Sequence, residues 1–314
     1  MLQIFKTVES EGVIAFEEVE AMENGTWINL FSPNKDEVIE VIESLKVPDY
    51  FIYAALDKEE GSRIETEDDY ILILFDIPVV NKKEHTGLYT TIPMSIIIGK
   101  EHVITVCLED NPIVRDFMRG RVKGFHTQFK TRFLFQLLYK TASYYLRYLR
   151  HIDRASNQIE IELHRSMKNK ELIELLELEK SLVYFSTSLK SNEIILEKIL
   201  KFALVKMYPD DQDLLEDVII ENKQAIEMSN IYSNILSGTM DAFASVISNN
   251  LNIVMKLLAG ITIVLSVPTI VASVFGMNVI VPLANQPYGF WIVLAIILGI
   301  AGILGIIMKK KDMF

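Results

Sequence analysis

The sequence contains almost no cysteine and, over one long stretch, no charge. Cys107 is the only cysteine among 314 residues, so no disulfide can form within the chain. It follows the largely apolar run Val103–Val106, where we expect a buried, unreactive thiol. The first residues contain no long apolar core and no cleavage site, so we expect no signal peptide. These absences argue against a secreted domain stabilised by disulfides.

Charge is missing from Leu257 to Met308, an uncharged run of 52 residues. The chain has a net charge of −11, of which residues 1–256 carry −13, and the tail after Met308 holds three Lys and one Asp. This distribution indicates an acidic soluble part joined to a C-terminal membrane anchor. It excludes a purely cytosolic enzyme and a nucleic-acid-binding protein that depends on a basic face.

The uncharged run is long enough for two membrane spans, because one spanning helix needs about 20 apolar residues. Gly, Pro, Asn and Gln cluster in its middle, which predicts spans at 257–278 and 288–308 and a connector at 279–287. Lys256 precedes the first span, and the tail 309–314 begins with Lys309, Lys310 and Lys311. Positive charge marks the cytoplasmic side. We therefore expect a multi-pass protein of the inner or plasma membrane with both termini in the cytoplasm.

The residues before the first span fall into three predicted segments. Residues 1–125 alternate short β-rich runs with helical patterns and predict an α/β domain, and residues 126–208 predict a helical segment. Pro209-Asp210-Asp211 is a helix start, and no further Pro occurs before Pro268. Residues 209–256 therefore predict a stalk helix that continues into the first span as one rod about 100 Å long. The predicted fold class is an α/β domain, a long stalk helix and two C-terminal transmembrane helices.

Residues for enzyme chemistry are present, but not in the patterns that such chemistry uses. Gly99-Lys100 is not a phosphate-binding loop, because Met94 and Glu101 occupy positions that require Gly and Ser or Thr. The five His show no metal-ligand spacing, and there is no nucleophile elbow. We therefore expect no enzyme, no ATP-driven pump, no organic cofactor and no nucleic-acid partner.

The first predicted span carries hydroxyl groups on one face. Thr262, Ser266, Thr269 and Ser273 are separated by 4, 3 and 4 residues, which places them on one side of a helix. The same period continues backwards through Met255, Asn252, Ser248, Ser245 and Asp241. One interpretation is that the stripe lines a pore. The other is that its small residues let helices pack closely, with the hydroxyls bonded to the backbone of their own helix. A pore needs several copies of this helix, so the first interpretation implies a homo-oligomer.

A short motif ends the first span. Gly276-Met277-Asn278 follows the segment Pro268–Phe275, and the lysine tail follows the second span. This arrangement resembles the signature of the CorA family of magnesium transporters. Trp27–Leu30, Arg63–Glu65 and Asp69-Tyr70 resemble the family's N-terminal landmarks, so the resemblance covers the whole chain. It implies a homopentameric funnel, embedded in lipid, that conducts Mg²⁺ and often Co²⁺ or Ni²⁺ down the electrochemical gradient.

The resemblance also implies roles for individual residues. It implies a selectivity filter at Gly276, Met277 and Asn278, and an apolar gate at Met255 and Leu258. The implied pore-lining set is Ser273, Thr269, Ser266, Thr262, Leu258, Met255, Asn252, Ser248 and Asp241. Asp217 matches a position at which the family binds regulatory Mg²⁺ between subunits, and Glu84 is a candidate for the partner carboxylate.

Several positions depart from the family pattern. Phe275 replaces a usual Tyr, Ser266 replaces a common Met, Pro268 comes one residue later than in some members, and the connector has no acidic residue. The choice among Mg²⁺, Co²⁺, Ni²⁺ and Zn²⁺ stays open. Two alternatives also stay open: a Zn²⁺ or Co²⁺ transporter of the same superfamily, and a membrane-anchored oligomeric sensor that conducts nothing.

Overall fold

The computed structural model describes residues 1–10, 13–81, 89–166, 169–202, 208–278, 282 and 286–310. Two of the predicted site residues, Glu84 and Lys311, lie outside these ranges, as does most of the predicted connector. The chain divides into two compact units, Met1–Gly238 and Thr239–Phe314.

The first unit is an α/β domain, as the sequence predicts. Its strands are β1 Leu2–Ser10, β2 Val13–Glu18, β3 Thr26–Phe31, β4 Arg63–Glu67, β5 Tyr70–Val80, β6 Tyr89–Ile98 and β7 Val103–Cys107. Its helices are α1 Lys35–Leu45, α2 Asp49–Ala54, α3 Pro112–Met118, α4 Lys130–Ser166, α5 Asn169–Phe202 and the first part of α6 Pro209–Phe275. The β-rich runs of the sequence predict β2, β3, β5, β6 and β7, and a helical pattern predicts α1. Strands β1 and β4, which lack a continuous apolar run, and helices α2 and α3 were not predicted.

One sheet of seven strands, in the order β2-β1-β3-β7-β6-β5-β4, organises this unit. Strands β3 and β7 are parallel, and every other neighbouring pair is antiparallel. The central strand β7 is buried along its whole length, which explains why it is almost entirely apolar. Cys107 ends this strand and is buried, as predicted, and burial raises the pKa of its thiol to about 11. A thiol protonated at neutral pH is unreactive.

Helices cover the sheet on both faces. Helices α1 and α2 supply Val38, Val41, Phe51 and Ile52 to the core on one face. The other face carries an aromatic cluster that reaches α3 and α4: Phe5, Phe16, Trp27, Phe117, Phe125 and Phe133. The Trp27 indole is fully buried, and its Nε1 donates a hydrogen bond to Thr105 Oγ1 at 2.8 Å. This bond satisfies the one polar atom of the largest buried side chain.

The second unit contains the rest of α6 and helix α7, Gly289–Lys310. Both helices are long and apolar enough to cross a membrane, and 6% and 0% of their most apolar stretches are buried. Helix α6 continues through Pro268, as predicted, although the proline ring removes one backbone hydrogen bond. Apolar helices with so little internal cover require a lipid environment or other protein chains around them.

Candidate functional site

The predicted polar stripe runs along α6. We define the α6 stripe as Asp241, Ser245, Ser248, Asn252, Met255, Leu258, Thr262, Ser266, Thr269 and Ser273. All ten residues are exposed in the single chain. The apolar members are exposed most clearly, with 59% of Met255 and 61% of Leu258 accessible. The stripe is therefore a continuous surface that the single chain leaves uncovered.

Four described hydroxyls of the stripe bond to their own helix, the first of them Ser245 Oγ, which donates to the Asp241 carbonyl oxygen at 3.0 Å. Thr262 Oγ1 donates to the Leu258 carbonyl oxygen at 2.8 Å, and Thr269 Oγ1 donates to the Leu265 carbonyl oxygen at 3.0 Å. Ser266 Oγ donates to the Ile263 carbonyl oxygen at 3.0 Å. These bonds are the ones that the packing interpretation predicts. They also orient each hydroxyl with its proton toward the backbone, which leaves the oxygen lone pairs able to accept.

Gly276, Met277 and Asn278 lie directly beyond the end of α6. The Gly276 N–H still donates to the Ala272 carbonyl oxygen at 2.9 Å, and the Met277 N–H donates to the Val274 carbonyl oxygen at 3.4 Å. A Cβ atom at Gly276 would lie 3.2 Å from the Ala272 carbonyl oxygen, which is a tight contact. The motif therefore continues the last helical turn closely, and Met277 and Asn278 are exposed at its end.

Asp217 lies near the start of α6, in the first unit. The neighbouring residues Leu215 and Val218 are buried, and Asn222 Nδ2 donates to the Leu189 carbonyl oxygen of α5 at 3.1 Å. Asp217 itself is exposed, on a side of α6 that this α5 contact does not cover. Alternating steps of three and four residues back from Asp241 reach Asp217, so both carboxylates share the heptad phase of the α6 stripe.

No metal site is assembled within one chain among the described residues. In those ranges no three His, Cys, Asp or Glu side chains gather closely enough to hold an ion. Asp217 therefore has no described carboxylate cluster around it, and the proposed partner Glu84 lies outside the described residues. The pairing of Asp217 with Glu84 therefore stays a prediction.

Two features of α6 were missed by sequence reasoning. The first is its buried polar face, where Ser229 Oγ donates to the Leu182 carbonyl oxygen of α5 at 3.2 Å. The signal for this face is a spacing of three and four residues between buried positions: Leu215, Val218, Asn222 and Ala225. The polar Asn222 and the small Ala225 make this period hard to recognise in the sequence. The second is an open cavity of about 530 Å³ beside Thr269 and Ser273, which Ile297 of α7 also lines.

Helix α7 has polar or aromatic residues at both ends. Tyr288, Phe290 and Trp291 are exposed at its start, and aromatic side chains of this kind favour a membrane interface. Lys309 and Lys310 form its last turn, where positive charge also complements the helix dipole. Both ends of α7 therefore carry the side chains that anchor a spanning helix.

The fold defines a class of membrane protein with a helical stalk. Its parts are an α/β domain, a continuous long helix with an exposed polar stripe, and a second apolar helix. Residues 23–310 match the family described as CorA-like Mg2+ transporter protein. The chain belongs to this family. It is a membrane protein with two transmembrane helices, as the resemblance implied.

Relatives and solved structures agree with this assignment. The cobalt/magnesium transport protein CorA of Methanocaldococcus jannaschii is 26% identical over 295 residues, which cover 91% of this chain and 90% of the relative. The protein of the same name from Thermotoga maritima is 26% identical over 324 residues, which cover 98% of this chain and 88% of the relative. The complete structure of the CorA magnesium transporter from M. jannaschii superposes with a TM-score of 0.82 at 22% identity, covering 99% of this chain and 96% of that one.

Proposed function

We propose that this chain is the subunit of a homopentameric channel-type transporter for Mg²⁺, and also for Co²⁺ or Ni²⁺, in the inner or plasma membrane. The observation that carries the proposal is the α6 stripe, which is exposed throughout and leads to Gly276, Met277 and Asn278. Family membership and two relatives named cobalt/magnesium transport protein support the choice of ion. Five copies of α6 around an axis would turn the exposed stripe into the wall of a pore.

The Asn278 side chains would form the selectivity ring. Mg²⁺ dehydrates reluctantly and keeps several waters when it binds to protein. A ring of neutral amide oxygens can accept hydrogen bonds from those waters without removing them. A ring of carboxylates would hold the ion more tightly and slow its release, whereas conduction requires weak and multiple sites.

The hydroxyl part of the stripe would serve the hydrated ion in the same way. The back-bonded hydroxyls of Thr262, Ser266 and Thr269 direct their protons to the helix, so their oxygens would face the pore as acceptors. Rings of Met255 and Leu258 would close the path by excluding water. An inside-negative membrane potential drives inward flux with about 2.3 kcal/mol per charge per 100 mV, so no ATP is required.

Asp217 would sense Mg²⁺ at a site between subunits in the cytoplasm. A site that one chain cannot complete agrees with the absence of a three-ligand cluster among its described residues. Carboxylates facing each other across an interface repel when the site is empty, and bound Mg²⁺ would remove this repulsion. Because a ligand shifts an equilibrium only if it favours one state, Mg²⁺ bound there would stabilise the closed state.

Flux into liposomes tests the proposal. Purified protein is reconstituted, and Mg²⁺ entry is followed with an enclosed fluorescent indicator under an inside-negative potential. We expect entry with the wild type, strong loss with Asn278→Ala, and unchanged entry with Gln286→Ala, which removes another exposed amide outside the motif. No entry with the wild type would leave the non-conducting sensor as the better description.

Zn²⁺ supplied to the same liposomes distinguishes the metal alternatives. Entry of Mg²⁺ together with Co²⁺ or Ni²⁺ supports the proposal. Entry of Zn²⁺ without Mg²⁺ would contradict it and would support a zinc transporter of the same superfamily.

A further inference from the structure

A cavity of about 600 Å³ lies in the first unit, far along the chain from the α6 stripe. It is located where the sheet meets the first turns of α4 and α6, and Ile71 and Ile98, opposite each other in β5 and β6, form its apolar wall. The volume is within the range of cavities that hold small organic ligands. Nothing in the proposed ion pathway uses this cavity.

Arg132 lines this cavity, and within the part of the chain that is described its guanidinium makes no hydrogen bond. Its Nε is enclosed by the protein, so a ligand in the cavity would meet the two terminal nitrogens of the guanidinium. In the same ranges no carboxylate lies within 4 Å of its guanidinium. Lys130 differs, because its Nζ donates to the carbonyl oxygens of Gly99, at 2.7 Å, and Lys100. A guanidinium binds carboxylate or phosphate through a planar pair of donors, so an anionic group would complete Arg132.

The remaining lining fits a flat ring and its polar substituents. Phe129 and Tyr208 line the cavity with 54% and 59% of their surfaces exposed. Aromatic faces of this kind stack on the rings of nucleobases. The carboxylate of Asp210, which also lines the cavity, can accept hydrogen bonds from hydroxyl groups.

We propose that this cavity binds a nucleotide. The phosphate is bound by Arg132, at the third residue of α4, where the positive end of the helix dipole adds to the attraction. The base lies against Phe129 and the two isoleucines, and the ribose hydroxyls donate to Asp210. A nucleotide combines the three features that the lining can bind: an anionic group, a planar ring and hydroxyl groups.

Equilibrium dialysis of the full-length protein in detergent tests this site, with labelled AMP as the probe and adenosine and inorganic phosphate in parallel. The measurement is made in EDTA, so its result does not depend on Mg²⁺ binding or transport. We expect saturable binding of AMP, with adenosine and phosphate each at least tenfold weaker. Absence of saturable binding at millimolar AMP, or phosphate binding as tightly as AMP, would overturn the proposal.

Three variants locate the binding. Arg132→Gln should weaken AMP binding at least tenfold, and Phe129→Ala should weaken it severalfold without disturbing the core, because the ring is exposed. Arg150→Gln removes an exposed arginine from the same helix outside the cavity and should leave the affinity unchanged. Thermal unfolding confirms that each variant is folded. Affinities that are unchanged in both cavity variants, or lowered equally in all three, would contradict the site.

Discussion

Asn192 of α5 forms two hydrogen bonds with the backbone of Asp76 in β5. The Asn192 Oδ1 accepts from the Asp76 N–H at 2.9 Å, and the Asn192 Nδ2 donates to the Asp76 carbonyl oxygen at 2.8 Å. Asp76 lies opposite Pro93 of β6, which has no N–H to donate, and β4 begins only opposite Leu74. The Asn192 amide therefore takes the place of a neighbouring strand, and it joins α5 to the sheet.

Replacing this amide should destabilise the first unit. Asn192 is 3% exposed, so Asn192→Ala leaves two buried backbone groups without their main partner, although Tyr145 still donates to the Asp76 carbonyl oxygen. We expect a loss of about 2–3 kcal/mol and a lower melting temperature. Circular dichroism of the purified full-length protein measures it. Asn230→Ala, at an exposed amide of α6, should change little, and an equal effect of both variants would contradict the role of Asn192.

The Asp76 side chain should make stability depend on pH. Burial raises the pKa of this carboxyl, and a hydrogen bond from Ser188 lowers it by less. The folded state therefore favours the protonated form, so stability decreases as the pH rises from the unfolded value near 3.8 through the raised folded value. At pH values above the raised pKa of the folded state, the buried carboxylate is charged and its destabilising effect on the fold is complete.

Asp76→Asn removes the free-energy cost of burying a charged carboxylate, because the Asn side chain has the same shape as Asp and no charge. We expect the variant to melt at a higher temperature than the wild type at pH 7 and at a similar temperature near pH 3.5. Asp57→Asn, at a carboxyl in a loop, is the matched control. A melting difference for Asp76→Asn that does not change with pH would show that the carboxyl is not the cause.

The proposed filter should be sensitive to a single methyl group at Gly276. Because a Cβ atom there would lie 3.2 Å from the Ala272 carbonyl oxygen, Gly276→Ala should displace the turn that carries Asn278. We expect severalfold slower Mg²⁺ entry into liposomes with protein yield unchanged. Gly61→Ala, where a Cβ atom meets nothing within 4 Å, is the control. Wild-type entry rates for Gly276→Ala would mean that the turn tolerates the methyl group.

Asp217 should control how Mg²⁺ protects the protein against proteolysis. If Mg²⁺ binds there and stabilises the closed state, Asp217→Asn should raise the Mg²⁺ concentration for half protection about tenfold, which corresponds to about 1.4 kcal/mol. Limited trypsin digestion over a Mg²⁺ series measures this concentration. Asp213→Asn removes the same charge one turn earlier on α6. Equal shifts for both variants would indicate a general charge effect, and no shift for Asp217→Asn would contradict the regulatory site.

Much of the architecture was predictable because it follows from local patterns. The uncharged run 257–308 requires two apolar helices, and the absence of proline between Pro209 and Pro268 permits one long helix. Buried strands such as β7 were recognisable because nearly every residue in them is apolar. The motif Gly276-Met277-Asn278, at the end of an apolar helix, identified the family correctly.

Other features depend on residues that are distant in the sequence. The pairing of Asn192 with the Asp76 backbone joins positions 116 residues apart, and the cavity at Arg132 needs β5, β6, α4 and α6 together. No local period encodes such contacts, since they arise only when the helices pack on the sheet. The sequence by itself determined the membrane helices, the stripe on α6 and the family, because hydropathy and helical period are properties of neighbouring residues. Only the tertiary structure decided which polar groups are buried with partners and which, like Arg132 Nε, are left without one, because burial depends on what the rest of the chain covers.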